Sequence, residues 1–304
     1  MTDSHHLLVV AGPTGIGKTD LAINLALHYN AEILSADSRQ FFREMTIGTA
    51  KPSIDQLKTV KHYFIDSLSI HDEYNAGKFE KEGNQLLSEL FKQHPVVIAV
   101  GGSGMYLKAL CEGINELPAI PISIREKLIE DYKEKGIGFL QDELKVKDPD
   151  YYEVVDLHNH QRLIRALEVC YFSGNSFSSF LQGAKVKRPY SIHKIGLTLE
   201  REELYNRIEL RMDQMINRGL FDEAEQLLSY RHLNALQTVG YTEIFDYLSG
   251  TYDREEAIRL LKRNSRRYAK RQMTWFKKDE EVKWFSPHDL SGVINWLNKR
   301  IGTQ

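Results

Sequence analysis

Short apolar runs, each closed by turn residues and followed by an amphipathic stretch, set the rhythm of the chain. Leu7–Ala11 ("LLVVA") stops at Gly12-Pro13 and reads as a buried strand. Lys18–Tyr29 then changes to helical spacing, with Leu21, Leu25 and His28 or Tyr29 following one face. Further strands are expected at Ile33–Ala36, Val96–Val100 and Ile195–Leu199, with weaker candidates at Tyr63–Ile65 and Val282–Phe285. Helical patterns separate most of them, notably Gly77–Phe91 and Glu202–Arg218. Strand and helix alternating in this way imply a parallel sheet flanked by helices, an α/β fold.

One stretch breaks the rhythm. After Gly113 comes "INELPAIPIS", whose Pro118 and Pro121 mark an exit from the core. From about Ile124 to Gly183 the patterns are helical, and strand character resumes only beyond Pro189. The expected organisation is an α/β core formed by residues 1–115 and 186–304, interrupted by an all-helical insertion at 116–185.

The first strand and helix bracket "AGPTGIGKTD", a complete Walker A pattern with Gly12, Gly17, Lys18 and Thr19 at its required places. Such a loop turns backbone N–H groups inward at phosphate oxygens, helped by the helix N-terminus. The whole loop, Gly12, Pro13, Thr14, Gly15, Ile16, Gly17, Lys18 and Thr19, is therefore expected on a diphosphate-containing ligand. Lys18 would neutralise the terminal phosphate and the Thr19 hydroxyl would ligate Mg²⁺. The fold expected is thus a P-loop NTPase-like sheet. Two features of ATPases and GTPases are missing, however. The strand "PVVIAV" runs into Gly101-Gly102-Ser103-Gly104 without a carboxylate, and no Asn-Lys-x-Asp reads guanine. A motor or switch is not expected on that ground. The nearest carboxylate is Asp37 in "ILSADSRQ", at a strand end that faces the same crevice; it is either catalytic or a cap for the next turn.

Composition changes this picture little. The 304 residues are 42% hydrophobic and 27% charged, with a net charge of −2, so any basic surface must be local. Two cysteines are too few for a disulfide framework, "MTDSHHLLVV" has no basic region ahead of its apolar run, and no apolar stretch spans a bilayer. A cytoplasmic protein with no membrane partner is expected. A local basic surface does exist: "RLLKRNSRRYAKRQMTWFKK" (Arg259–Lys278) holds nine Lys or Arg and no acid. On a helix Arg259, Arg263, Arg266 and Lys270 follow one side, while Leu260, Tyr268 and Trp275 supply bulk. RNA backbone is one partner for such a face, and solvent is the other.

Taken together the chain resembles the tRNA dimethylallyltransferases (tRNA isopentenyltransferases) of bacterial type. The resemblance rests on "GPTGIGKT", "SADSRQFFREMTIGTAKPS", "HYFIDSLS", "VGGSGMYLKALCEG", "HNHQRLIRALEV", "LYNRIELRMDQMINRGLFDE", "TVGYTE" and "YAKRQMTWFKK", in family order over nearly the whole chain. It implies transfer of a dimethylallyl group from dimethylallyl diphosphate to N6 of the adenosine 3′ of the tRNA anticodon. It also implies Asp37 as general base, and Lys18, Thr19 with Mg²⁺, Ser103 and Arg211 as further catalytic residues. Arg207, the first arginine of the same R-x-x-x-R pattern, is left to a structural role. Contacts to tRNA are implied for Asp37, Ser38, Arg39, Gln40, Ser103 and Arg125. The same holds for Gln161, Arg162, Leu163, Ile164 and Arg165 of the insertion and for Lys270, Arg271 and Gln272. A monomer is expected to suffice.

This chain departs from many relatives in carrying Ser103 where they have Thr, and Gln237 and Thr242 where some have Arg. Three other readings stand beside the resemblance. A P-loop small-molecule or nucleotide kinase would leave the acid-free helix unexplained. An adenylate prenyltransferase would have no use for the insertion, and an RNA-binding protein with a relict loop would not need Lys18, Thr19 and Asp37.

Overall fold

The apolar runs pair with one another in a single sheet. In the computed structural model, which describes residues 5–115, 117–181, 183 and 185–302, they form β1 (His6–Ala11), β2 (Ile33–Ser35), β3 (His62–Tyr63), β4 (Val96–Gly101), β5 (Ser191–Leu197) and β6 (Lys283–Phe285). The order is β3-β2-β4-β1-β5-β6 and every pairing is parallel. Alternation along β1 explains why both faces are covered. Leu8 and Val10 join one apolar cluster with Leu21, Leu25 and Ile208, while Leu7 and Val9 join another with Phe79, Leu87 and Leu110. A third cluster, around Tyr241, Met212 and Leu261, takes in Phe42 and Met45 from the segment after β2.

Three strands differ instructively from their sequence expectation. β5 begins at Ser191, well before Ile195, because two polar residues lie buried inside it. His193 meets the His6 ring of β1 at 3.1 Å, and Lys194 forms ion pairs with Glu112, Asp279 and Glu281. Polar residues satisfied by distant partners do not register in an apolar pattern. β3 is short because Phe64 and Asp66 turn to φ 61° and 53°, which ends the strand before Ile65. β2 ends at Ser35, where the backbone leaves the sheet toward Asp37.

The chain divides into two compact units, Met1–Glu112 with Lys187–Gln304, and Gly113–Val186. The expected boundary at 116 falls outside the described residues. Within Gly113–Val186 the described residues form helices at Ile122–Lys135, Ile137–Lys147, Pro149–Val154, His160–Ser173 and Phe177–Phe180. Their own core gathers Leu128, Leu140, Leu144, Leu163 and Leu167. Asp148, nearly inaccessible, ties it together by capping Tyr151 N–H and accepting from the Ser178 amide and hydroxyl. Among the described residues of the whole chain, no helix is long and apolar enough to cross a membrane.

Candidate active site

Register brings three loops to one edge of the sheet. Ala11 pairs with Gly101 and Ser35 with Val100, so the segments after β1, β2 and β4 emerge side by side at the carboxyl ends of their strands. The cleft they line with the helix Arg201–Asn217 contains Thr14, Lys18, Thr19, Asp37 and Arg211. Sequence-expected catalytic groups far apart in the chain, from Lys18 to Arg211, thus meet in one place. Ser103 stands behind them: its Oγ accepts from Ser38 N–H at 2.9 Å and donates to Ser38 Oγ at 3.1 Å.

The Walker loop is built as its glycines require. Gly17, at φ 101°, precedes the helix Lys18–Tyr29 in a left-handed conformation that a side chain would strain. The space a Cβ would take there lies 3.2 Å from the Arg207 guanidinium, which agrees with a structural part for Arg207. Lys18 Nζ donates to Pro13 O at 2.8 Å, and Arg211 Nη1 donates to Thr14 Oγ1 at 3.1 Å.

Charge in this cleft is out of balance. Burial pushes the Lys18 amine from its ordinary 10.5 down to about 7; Asp37 opposes that shift and Arg211 adds to it. Burial likewise lowers Arg211, again opposed by Asp37. Arg39 lines the cleft too and is lowered by burial, so three desolvated cations surround one carboxylate, a surplus that favours an anion. Asp37 itself uses Oδ1 to accept from Arg39 N–H at 3.0 Å. Among the described residues Oδ2 accepts no hydrogen bond, so the two sequence alternatives, cap and reactive group, coexist in one side chain. Tyr268, counted from sequence only as bulk, lines the same cleft, and burial followed by the Asp37 charge raises its phenol to about 12. It stays protonated and able to donate.

Several neighbours hold the walls. Gln40 Nε2 donates to Thr49 O and Ala50 O, both at 3.2 Å, and its Oε1 accepts from Ser35 Oγ at 3.2 Å. Glu223 is the larger surprise. Its carboxylate accepts from the backbone of Thr46, Ile47 and Gly48 and from Tyr241 OH, at 2.7 to 3.0 Å. Apolar periodicity and spacing do not mark its role, because three of its partners are backbone groups far away in the chain.

The basic helix spans Arg254–Phe276, and its stripe is partly neutralised from outside the acid-free window. Arg259 pairs with Glu256, Arg266 with Glu209 and Lys262 with Asp213. The side that stays exposed lies further along, at Arg267, Lys270, Arg271 and Lys278, with Trp275 38% exposed among them. Gln272 corrects its expected place: it is buried, with Oε1 accepting from Thr14 N–H at 2.9 Å and Nε2 donating to Gly102 O at 2.8 Å. Both ends of its amide serve the protein.

In the helical unit, Arg125 and Arg165 converge on Glu168, which is 2% exposed. Gln161 and Arg162 lie exposed in the first turn of His160–Ser173. Leu163 and Ile164 point into the unit's core at 0% and 3% exposure. Helical periodicity dictates this, so of the five consecutive residues expected on RNA these two side chains are packing groups.

A Walker loop at the head of a parallel sheet, with desolvated cations and a carboxylate in one cleft, defines an α/β protein of P-loop type. Residues 40–279 match the family model described as IPP transferase, and the chain belongs to that family. It is 51% identical over 97% of its length to a tRNA dimethylallyltransferase of Cytophaga hutchinsonii, covering 97% of that protein. It is 48% identical to tRNA dimethylallyltransferase 1 of Bacteroides thetaiotaomicron, covering 96% of this chain and 94% of that one. Among solved structures, the full-length tRNA isopentenylpyrophosphate transferase of Bacillus halodurans superposes with a TM-score of 0.73 at 35% identity, covering 98% and 97% of the two chains.

Proposed function

We propose that this chain transfers the dimethylallyl group of dimethylallyl diphosphate to the exocyclic N6 of the adenosine immediately 3′ of the tRNA anticodon, releasing diphosphate. The observation that carries the reading is the meeting of Lys18, Arg211 and the Walker loop with the unengaged Asp37 Oδ2 in one cleft. An exocyclic amine conjugated with its purine is a poor nucleophile. Asp37 would take its proton as the new N–C bond forms. The allylic C–O bond breaks with its electron pair leaving on diphosphate, and Lys18, Arg211 and the loop amides would hold the charge that develops there. The adenine must leave its stack to reach such a cleft.

The reading includes Mg²⁺. The Thr19 hydroxyl lines the cleft and would offer the ion a hard oxygen donor beside the diphosphate. Bound there it would neutralise part of the leaving group's charge. Arg39, Gln40 and the exposed face at Arg267, Lys270 and Arg271 suit a tRNA partner, as do Arg125, Gln161, Arg162 and Arg165 of the helical unit. Every group given a part in the chemistry comes from one chain, so a monomer working in the cytoplasm suffices.

The test is a donor comparison. Purified protein with labelled dimethylallyl diphosphate, Mg²⁺ and unmodified tRNA should put label into tRNA, and chelation should stop it until Mg²⁺ is restored. Label entering AMP instead of tRNA, or phosphate release from ATP with unlabelled tRNA, would overturn the reading.

A further inference from the structure

The two halves of the proposed reaction stand on different loops. The diphosphate side is the Walker loop after β1; the adenine side is the Asp37–Gln40 segment after β2. Between them, in the sheet order, lies β4 with its Gly101–Gly104 turn. Nothing in the chemistry described so far fixes the distance between leaving group and base.

One side chain spans that gap. Gln272 accepts from Thr14 N–H at 2.9 Å and donates to Gly102 O at 2.8 Å. On the near side, Thr14 Oγ1 receives Arg211 at 3.1 Å. On the far side, Ser103 follows Gly102, and its Oγ receives Ser38 N–H at 2.9 Å, next to Asp37. The path from Arg211 to Asp37 is thus continuous, and Gln272 is its middle. The fit is close: a Cβ on Gly102 would stand 2.4 Å from Gln272 Nε2, and one on Gly104 would stand 2.2 Å from the Trp275 indole. Gln272 and Trp275 are three apart on the helix Arg254–Phe276, so they press on the turn from one face.

We propose that Gln272 is a positioning residue that sets the spacing between the diphosphate-binding loop and the Asp37 segment. It lines the cleft, but both ends of its amide are spent on Thr14 and Gly102, and it acts through them. This rests on the prenyl-transfer reading for its catalytic consequence but not for its geometry. The alternative, a direct RNA contact, makes the opposite kinetic prediction.

Gln272→Met keeps the length of the side chain and removes both hydrogen bonds. The expected result is a kcat lower by on the order of 10²-fold, the scale of a small misplacement of reacting groups, with the Kd for tRNA unchanged. Hydrogen exchange should quicken at Ser38, which Gln272 does not touch, as well as at Thr14. A weaker Kd for tRNA with kcat intact would show an RNA contact and overturn the proposal. Faster exchange confined to Thr14, with Ser38 unmoved, would overturn it too. If the wild-type protein transferred no prenyl group, the functional reading would fall, and exchange at Ser38 would still decide the positioning role. Should Gln272→Met not fold, Gln272→Ser, smaller and polar, carries the same measurements.

Discussion

Among the described residues Asp37 holds Arg39 N–H with one carboxylate oxygen and accepts no hydrogen bond on the other, a division of labour that suits a base held in a fixed orientation. Asp37→Ala should lower turnover by about 10²–10⁴-fold while tRNA affinity largely survives. Parallel loss of binding, read by filter retention, would make Asp37 a recognition residue. Lys18 adds a pH dependence. Its amine titrates near 7 in the free protein, and a bound diphosphate favours the protonated form, so donor binding takes up a proton above that pH. The KM for donor should therefore rise with pH above about 7, approaching tenfold per unit. A flat profile between pH 6 and 9 would count against it, and Lys18→Arg should flatten the profile. The sign for stability follows from the same shift. Between about 7 and 10.5 the unfolded chain binds the proton and the folded one does not, so this residue's contribution to stability rises with pH across that window.

Among elements, the segment after β2 is the one most dependent on distant groups. Glu223 satisfies three of its backbone N–H groups together with the Tyr241 phenol. Glu223→Ala leaves those donors without their acceptor and should destabilise the protein by about 3 kcal/mol, lowering Tm by several degrees. Thr46→Ala, which removes only an exposed side chain, should melt like the wild type; equal Tm values for both variants would refute the assignment. This segment also marks where sequence reading stops. β1, β4 and the helix Lys18–Tyr29 were legible because local apolar periodicity and a loop motif decide them. The Walker loop and Asp37 were legible for the same reason, since strand ends fix which loops share an edge. Glu223, Gln272 and the early start of β5 were not, because each depends on hydrogen bonds or ion pairs to residues far along the chain. The pairing of Arg266 with Glu209 and of Lys262 with Asp213 was hidden in the same way: a window without acids says nothing of acids on a neighbouring helix.

For the molecule as a whole, a net charge of −2 means that attraction to RNA must come from patches and not from the overall field. Binding of tRNA should weaken steeply with salt, and Lys270→Ala should reduce the slope of log K against log salt by about 1. An unchanged slope would remove Lys270 from the RNA face. The hydrogen bond from Thr14 to Gln272 joins residues 258 positions apart. It has a consequence for the order in which the site comes into being during synthesis. The Walker loop leaves the ribosome before Asp37, Ser103 and Arg211 do. Until the helix ending at Phe276 emerges, Thr14 lacks the Gln272 acceptor and Gly104 lacks its indole neighbour. A growing chain, or one cut short of this helix, therefore carries the phosphate motif without the assembled cleft.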